Sequence, residues 1–258
     1  MTDQTFRPQV DCIVSDVEGC IVPVARGRWD LPAVSRLAAY VEQAAAGRVP
    51  PLVLCSGRPA QFVEALGAAL GLKLPSICEN GGVLFDPAQG GEIPLYSAAQ
   101  GTLMHEARRR LAADLGAAAR IAAGKAICLS IVLPAGRRAA MEDLHRRVRS
   151  ILAADEALSE NLVTTLSPSA VDIMPSGIDK GTGILKLLDR LGVRPERAAA
   201  IGDGGNDLSM MNRVGLACAP ANAMPEVLAA ADLKAREPEA RGVLEILNRL
   251  TFFASLTS

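Results

Sequence analysis

The sequence predicts an α/β fold, a doubly wound parallel sheet interrupted by an inserted α+β lobe. Three observations carry this. Short apolar runs alternate with helical stretches through the first third of the chain, the middle breaks that rhythm, and the last third restores it. Strand–helix alternation builds parallel sheets with helices on both faces.

Residues 10–15 are an apolar run that ends in an acidic loop, and 31–46 carry helical periodicity. Residues 51–55 are a second strand, ending at Ser56-Gly57. A helix over 59–70 follows, with Pro59 suited to its first turn, and then a strand over 75–78. The middle reads as helix (97–119), strand (126–134), helix (137–153) and two strands (162–166 and 170–175) separated by Ser167-Pro168-Ser169. After Ser176-Gly177 come a helix over 181–191 and a strand over 198–201. A helix beyond Asn206, a strand over 216–219 and helices over 224–231 and 242–250 complete the chain. The expected organisation is a core of residues 1–85 and 176–258 around a lobe of residues 86–175.

Composition narrows the functional classes. With 50% hydrophobic and 21% charged residues the chain is globular, and 3% aromatics leave the core to Ala, Leu, Val and Ile. A net charge of −1 gives no attraction to nucleic acid or to an anionic membrane. The six cysteines are scattered without a C-x-x-C pair, and Cys12, Cys55, Cys78 and Cys128 fall in strand-like runs. This favours buried free thiols in a reducing compartment over a disulfide framework or a zinc site. The start of the chain has no basic and apolar leader, and no apolar run approaches the roughly 20 residues of a membrane span. The expectation is a cytoplasmic protein.

Four segments carry the chemistry, each where a strand ends or a helix begins, which is where ligands bind in open α/β sheets. In Ser15-Asp16-Val17-Glu18-Gly19-Cys20, two carboxylates stand two residues apart, with a glycine that permits close approach to an anion. In Leu54-Cys55-Ser56-Gly57-Arg58-Pro59, the Ser56 hydroxyl and the backbone N–H groups after it suit a phosphate oxygen. In Ile178-Asp179-Lys180-Gly181, a lysine at a helix start opposes the helix dipole unless it meets an anion. Ile201-Gly202-Asp203-Gly204-Gly205-Asn206-Asp207 offers hard oxygen ligands for Mg²⁺. Taken alone, the first is equally an acidic turn, whereas the second reads more simply as a helix cap and the third as an exposed lysine. The fourth points to function by itself.

In this order the four segments resemble the haloacid dehalogenase superfamily of phosphohydrolases, and within it the Cof-type branch, which carries an α/β cap between the second and third motifs. The strings SDVEGC, LCSGRP, IMPSGIDKGTGI and IGDGGNDLSMM carry the resemblance, supported by CENGGVLFD and RGVLEILNRL. It implies a Rossmann-like core. It also implies that Asp16 is nucleophile and Mg²⁺ ligand, and that Glu18 is general acid/base with a backbone carbonyl on the metal. Ser56, Gly57, Lys180 and Asn206 are implied as phosphate binders, Asp203 as the second metal carboxylate and Asp207 as a supporting group. Glu18 and Cys20 depart from the usual D-x-D-G-T pattern; the enolase-phosphatase branch also carries Glu at the first of these positions.

The implied activity is Mg²⁺-dependent hydrolysis of a small phosphorylated metabolite, a sugar phosphate or phospho-hydroxy-acid, through an aspartyl-phosphate. Two alternatives stand beside it: a phosphosugar mutase using the same core, and a binding protein that holds a phospho-ligand without turnover. Relatives with this cap roof the site with the cap's sheet, so Lys125, Ser130, Thr164 and Ser167 are expected to face the leaving group. Arg108-Arg109-Arg110 and Arg146-Arg147-Arg149, with His105 and His145 beside them, read as solvated helix faces. Arg26, Arg28 and Trp29 follow the first loop and lie within reach of a substrate.

Overall fold

The computed structural model describes residues 9–24, 27–134, 140–167 and 170–255. The chain opens with β1 (Cys12–Ser15), α1 (Leu31–Ala45), β2 (Leu52–Leu54), α2 (Ala60–Leu70), β3 (Ser76–Cys78), β4 (Val83–Asp86) and β5 (Gly91–Pro94). Next come α3 (Ala98–Leu115), β6 (Arg120–Ile121), β7 (Leu129–Val132), α4 (Met141–Ala153), α5 (Glu156–Asn161), β8 (Leu162–Leu166) and β9 (Val171–Pro175). It closes with α6 (Lys180–Leu191), β10 (Ala198–Ile201), α7 (Leu208–Met211), β11 (Leu216–Ala219), α8 (Pro225–Ala230), β12 (Leu233–Lys234) and α9 (Glu239–Ser255).

The central sheet is parallel throughout, in the order β12-β11-β10-β1-β2. A bridge from Cys55 to Ile77 brings β3 alongside β2. Successive side chains of a strand point to opposite faces, and β1 uses both. Cys12 and Val14 pack with Ile184, Leu187 and Val227 on one side, while Ile13 joins Leu37, Leu66 and Leu247 on the other. A strand covered on both faces needs an unbroken apolar run, which is why CIVS, AAAI and LACA show no alternation.

Two features go beyond the sequence reading. β4 pairs antiparallel with both β3 and β5, turning through Gly90 at φ +63°. Its four residues are too few to display a period. Helix α5 is capped by the Asp155 side chain, which accepts from the Leu158 N–H. Pro59 stands at the cap of α2 in an extended conformation rather than inside its first turn. The expected helix over 137–153 is described from Met141 onward, its first residues and part of the Ser167-Pro168-Ser169 turn lying outside the described residues.

Between β5 and α6 the chain builds a separate four-stranded antiparallel sheet in the order β6-β7-β9-β8. Leu129, Ile131, Val171 and Ile173 share one face and are buried with Met104, Leu111, Leu144 and Val148 of α3 and α4. Register then assigns the other face. Ser130 pairs with Asp172, which pairs with Thr165, so these three point away from the helices. The expectation for Thr164 is corrected here. It lies in the row of Leu129 and Ile173, and its hydroxyl meets His145 Nε2 of α4 at 2.8 Å. One residue along a strand reverses the face, and Thr165 takes the place expected of Thr164.

Candidate active site

Sheet order reverses between β1 and β10. From β1 the chain steps outward to β2, and from β10 it steps the other way to β11 and β12. A crevice forms outside the carboxyl ends of strands at such a point. Asp16 directly follows β1, and its N–H donates to Ile201 O of β10 at 2.8 Å. Asp203 lies two residues beyond the end of β10.

The third member arrives on α6. Asp179 caps this helix, its side chain accepting from the Thr182 N–H at 2.7 Å in a capping box. That fixes Lys180 as the first helical residue and aims it inward. Its ammonium, 1% exposed, reaches Asp16 Oδ1 at 2.8 Å and Asp207 Oδ1 at 2.6 Å. The other oxygen of Asp207 accepts from the N–H groups of Asp203 and Gly204, both at 2.9 Å. Asp207 therefore orders the glycine-rich loop while pairing with the lysine. Gly19 makes the assembly possible: its φ is +78°, and a Cβ there would overlap the Asp203 carboxylate.

Asp16, Asp203 and Asp207 each offer an oxygen within 4.8 Å of the others. Three buried carboxylates against one ammonium leave surplus negative charge. Burial, then repulsion from Asp207, raises Asp16 to about 7 even though Lys180 opposes the shift. Burial, then Asp16 and Asp207, raises Asp203 to about 8. Burial works against the charge of Lys180, yet Asp16 and Asp207 outweigh it and hold the ammonium well above its ordinary value. A cluster that binds protons this tightly is short of positive charge. Its hard oxygen donors fit a Mg²⁺ ion. Cys20 lies 3.9 Å from Asp203 Oδ1, and burial followed by that carboxylate's repulsion pushes the thiol well above its usual range.

The remaining sequence candidates divide into two groups. Ser56 is fully buried beside this cluster's sheet edge, its Oγ accepting from the Arg58 N–H at 3.1 Å and its N–H donating to Ile77 O. Gly57 packs so closely on Asn80 that a Cβ would lie 2.9 Å from Asn80 Oδ1. Asn206 donates to that same oxygen at 3.3 Å. Glu18 does not join the buried carboxylates; its carboxylate meets the guanidinium of Arg58 instead. Arg58 stacks over Phe62 at 5.1 Å, and Trp29 meets Phe62 edge-on at 6.4 Å. Arg28 is exposed, and Arg26 lies outside the described residues. Arg109 pairs with Glu106 and Arg146 with Asp143 within their own helices, whereas Arg110 also reaches Asp155 at 2.6 Å, Arg108 donates to Lys125 O at 3.3 Å and Arg147 donates to Asp114 O, so these runs also tie the lobe's elements together.

Three contributors were not singled out from sequence. The buried Glu79 carboxylate accepts from the N–H groups of Ala126, Ile127 and Cys128 at 2.8, 2.8 and 3.0 Å, tying the inserted lobe to the turn after β3. Asn222 donates to Gly19 O at 2.8 Å and steadies the first loop from the far side of the crevice. Asp172 bonds to Ser130 on the lobe's sheet. A lone charge inside the apolar strand VDIMP was the available signal for Asp172.

A family model described as haloacid dehalogenase-like hydrolase matches residues 139–247, a stretch that holds Lys180, Asp203, Asn206 and Asp207. A phosphoglycolate phosphatase of Methanopyrus kandleri is 28% identical over 205 residues, covering 78% of this chain and 82% of that one. A haloacid dehalogenase-like hydrolase from Bacteroides thetaiotaomicron shares the fold with a TM-score of 0.70 at 22% identity, covering 93% of this chain and 99% of the other. The sucrose-phosphatase of Synechocystis, solved with sucrose and phosphate, superposes with a TM-score of 0.68 at 18% identity, covering 94% and 98%. Around the charged crevice at the sheet's reversal point, the chain is thus similar in sequence to haloacid dehalogenase-like hydrolases and phosphoglycolate phosphatases, and it shares their fold.

Proposed function

We propose that the chain is a Mg²⁺-dependent phosphatase that hydrolyses a small phosphorylated metabolite through an aspartyl-phosphate on Asp16. The observation that carries this is the buried group of Asp16, Lys180, Asp203 and Asp207 at the switch point of the sheet. The phosphatase names of relatives that cover most of their own length support the phosphate-ester class. Six buried free thiols suit a reducing compartment.

Asp16, Asp203 and the backbone carbonyl of Glu18 would hold the cation, which when bound supplies positive charge against the substrate's phosphate. Lys180, Ser56, Gly57 and Asn206 hold the phosphate oxygens and keep them in line with the free Asp16 oxygen. That oxygen attacks phosphorus, forming an Asp16 O–P bond as the ester's P–O bond breaks. Glu18 gives its proton to the departing oxygen. It then takes one from a water that attacks phosphorus, which releases phosphate and restores Asp16. Asp207 acts through Lys180 and the loop. The lobe of about residues 86–175 sits over the crevice and selects the leaving group.

Three experiments test this reading. Phosphate release from an aryl phosphate is expected only with Mg²⁺, with EDTA abolishing it; turnover without metal would refute the reading. A pH dependence accompanies it. The folded pKa values of Asp16 and Asp203 are raised, so their stabilising contribution is present at low pH and lost as pH rises through about 7 and about 8. Added Mg²⁺ is therefore expected to raise the melting temperature more at about pH 8 than at about pH 6. Glu18→Gln is expected to slow turnover by about 10²-fold or more with substrate binding kept. A rate equal to the parent's would move the proton transfer elsewhere.

A further inference from the structure

The turn after β3 links the phosphate side of the crevice to the inserted lobe. Asn80 takes the Asn206 amide on its Oδ1 at 3.3 Å and extends its own Nδ2 to Cys128 Sγ at 3.9 Å. Around Cys128 stands a compact polar group on the sheet face turned away from the helices. Lys125 Nζ donates to Ser130 Oγ at 2.5 Å and lies 3.6 Å from Cys128 Sγ. Ser130 in turn donates to Asp172 Oδ1, which sits 3.8 Å from the Lys125 ammonium and 3.7 Å from the thiol. The Glu79 carboxylate holds the backbone of residues 126–128 against the core, so this group has a fixed position two side chains away from Asn206.

Its charge is what discriminates. Lys125 is the more enclosed partner, its side chain 8% exposed against 19% for Asp172. The ammonium is already engaged by Ser130 and Asp172, and the carboxylate is the more open face of the pair. A leaving group ending in a carboxylate would meet Asp172 as a like charge, with the Lys125 ammonium already held by Ser130 and Asp172. A hydroxylated leaving group would instead donate to Asp172.

We infer that Lys125, Ser130 and Asp172 form the leaving-group subsite, and that it selects a neutral, hydroxylated leaving group, a polyol or sugar, over one that ends in a carboxylate. This rests on the phosphatase reading of the crevice, but the charge of the subsite is independent of it. A like charge placed where a wrong ligand would put its own is one means of rejecting that ligand. The relatives named for phosphoglycolate would then differ from this chain in what their lobes accept.

The test measures kcat/KM of the full chain with Mg²⁺ on glycerol phosphate, a ribose phosphate and phosphoglycolate, with an aryl phosphate as reference. The parent is expected to favour at least one hydroxylated ester over phosphoglycolate by about tenfold or more. Asp172→Asn, checked for an unchanged melting transition, is expected to shrink that ratio at least about tenfold by removing the like charge. Ser130→Ala keeps the charge and is expected to preserve rejection of phosphoglycolate while lowering kcat/KM on the hydroxylated ester. Preference of the parent for phosphoglycolate, or an unchanged ratio in Asp172→Asn, overturns the subsite with the phosphatase reading intact. Absence of aryl phosphate hydrolysis by the parent removes that reading, and the inference falls with it.

Discussion

Asp16→Asn is expected to reduce phosphate release by at least about 10⁴-fold, the scale on which loss of a covalent nucleophile acts. The amide oxygen can still accept from Lys180, so the geometry around α6 is expected to survive. One surplus negative charge also disappears from the cluster. Without metal, the variant is therefore expected to melt no lower than the parent, and higher above about pH 7, where the parent's Asp16 carries its charge. An assay on an aryl phosphate together with a thermal melt measures both. More than about one per cent of parental turnover, or a variant that unfolds at lower temperature than the parent, contradicts the roles given to this carboxylate.

Lys180→Met is expected to have the largest effect on folding. It removes the ammonium that, among the described residues, pairs with Asp16 and Asp207, and leaves buried carboxylates uncompensated, a change of about 3–5 kcal/mol. The sign with pH follows from the direction of the shifts. The folded pKa of Lys180 is raised, so its contribution is fully present at neutrality and is lost only in strongly alkaline solution. Below about pH 7 Asp16 takes up a proton and the deficit shrinks. Denaturant titrations at about pH 5 and about pH 8 are expected to show the larger loss at the higher value. Equal losses at both would mean that the lysine acts by packing its stem rather than by charge.

Much of this was legible in the sequence because strong local signals and tertiary structure agree. CIVS, AAAI and LACA are apolar runs of strand length, the first two followed by acidic, glycine-bearing loops and the third by a proline, and they are three adjacent strands of the sheet. Asp16, Lys180, Asp203 and Asp207 come together from three loops because each stands at a strand end or helix start. What escaped depends on register and on long-range partners. The choice of Thr165 over Thr164 rests on the pairing of β9 with β8, which no local pattern in LVTTL reveals. The partner of Glu18 is forty positions away in sequence, and the partners of Glu79 nearly fifty. The turn carrying Glu79 and Asn80 holds both at positive φ, 52° and 54°, where glycine would be the expected residue.

That turn has a consequence for how far the lobe is a module. A boundary drawn at the two chain crossings makes the lobe look exchangeable, since only the peptide links after β5 and before α6 would need rejoining. Glu79 adds a third attachment that is not covalent and belongs to the other partner. Its carboxylate is 1% exposed and is satisfied by three consecutive N–H groups of the lobe. A transplanted lobe without free amides at that place would strand a buried charge, a defect worth several kcal/mol. Recombination between this chain and its relatives is thus constrained by backbone shape at residues 126–128 more than by the residue types found there.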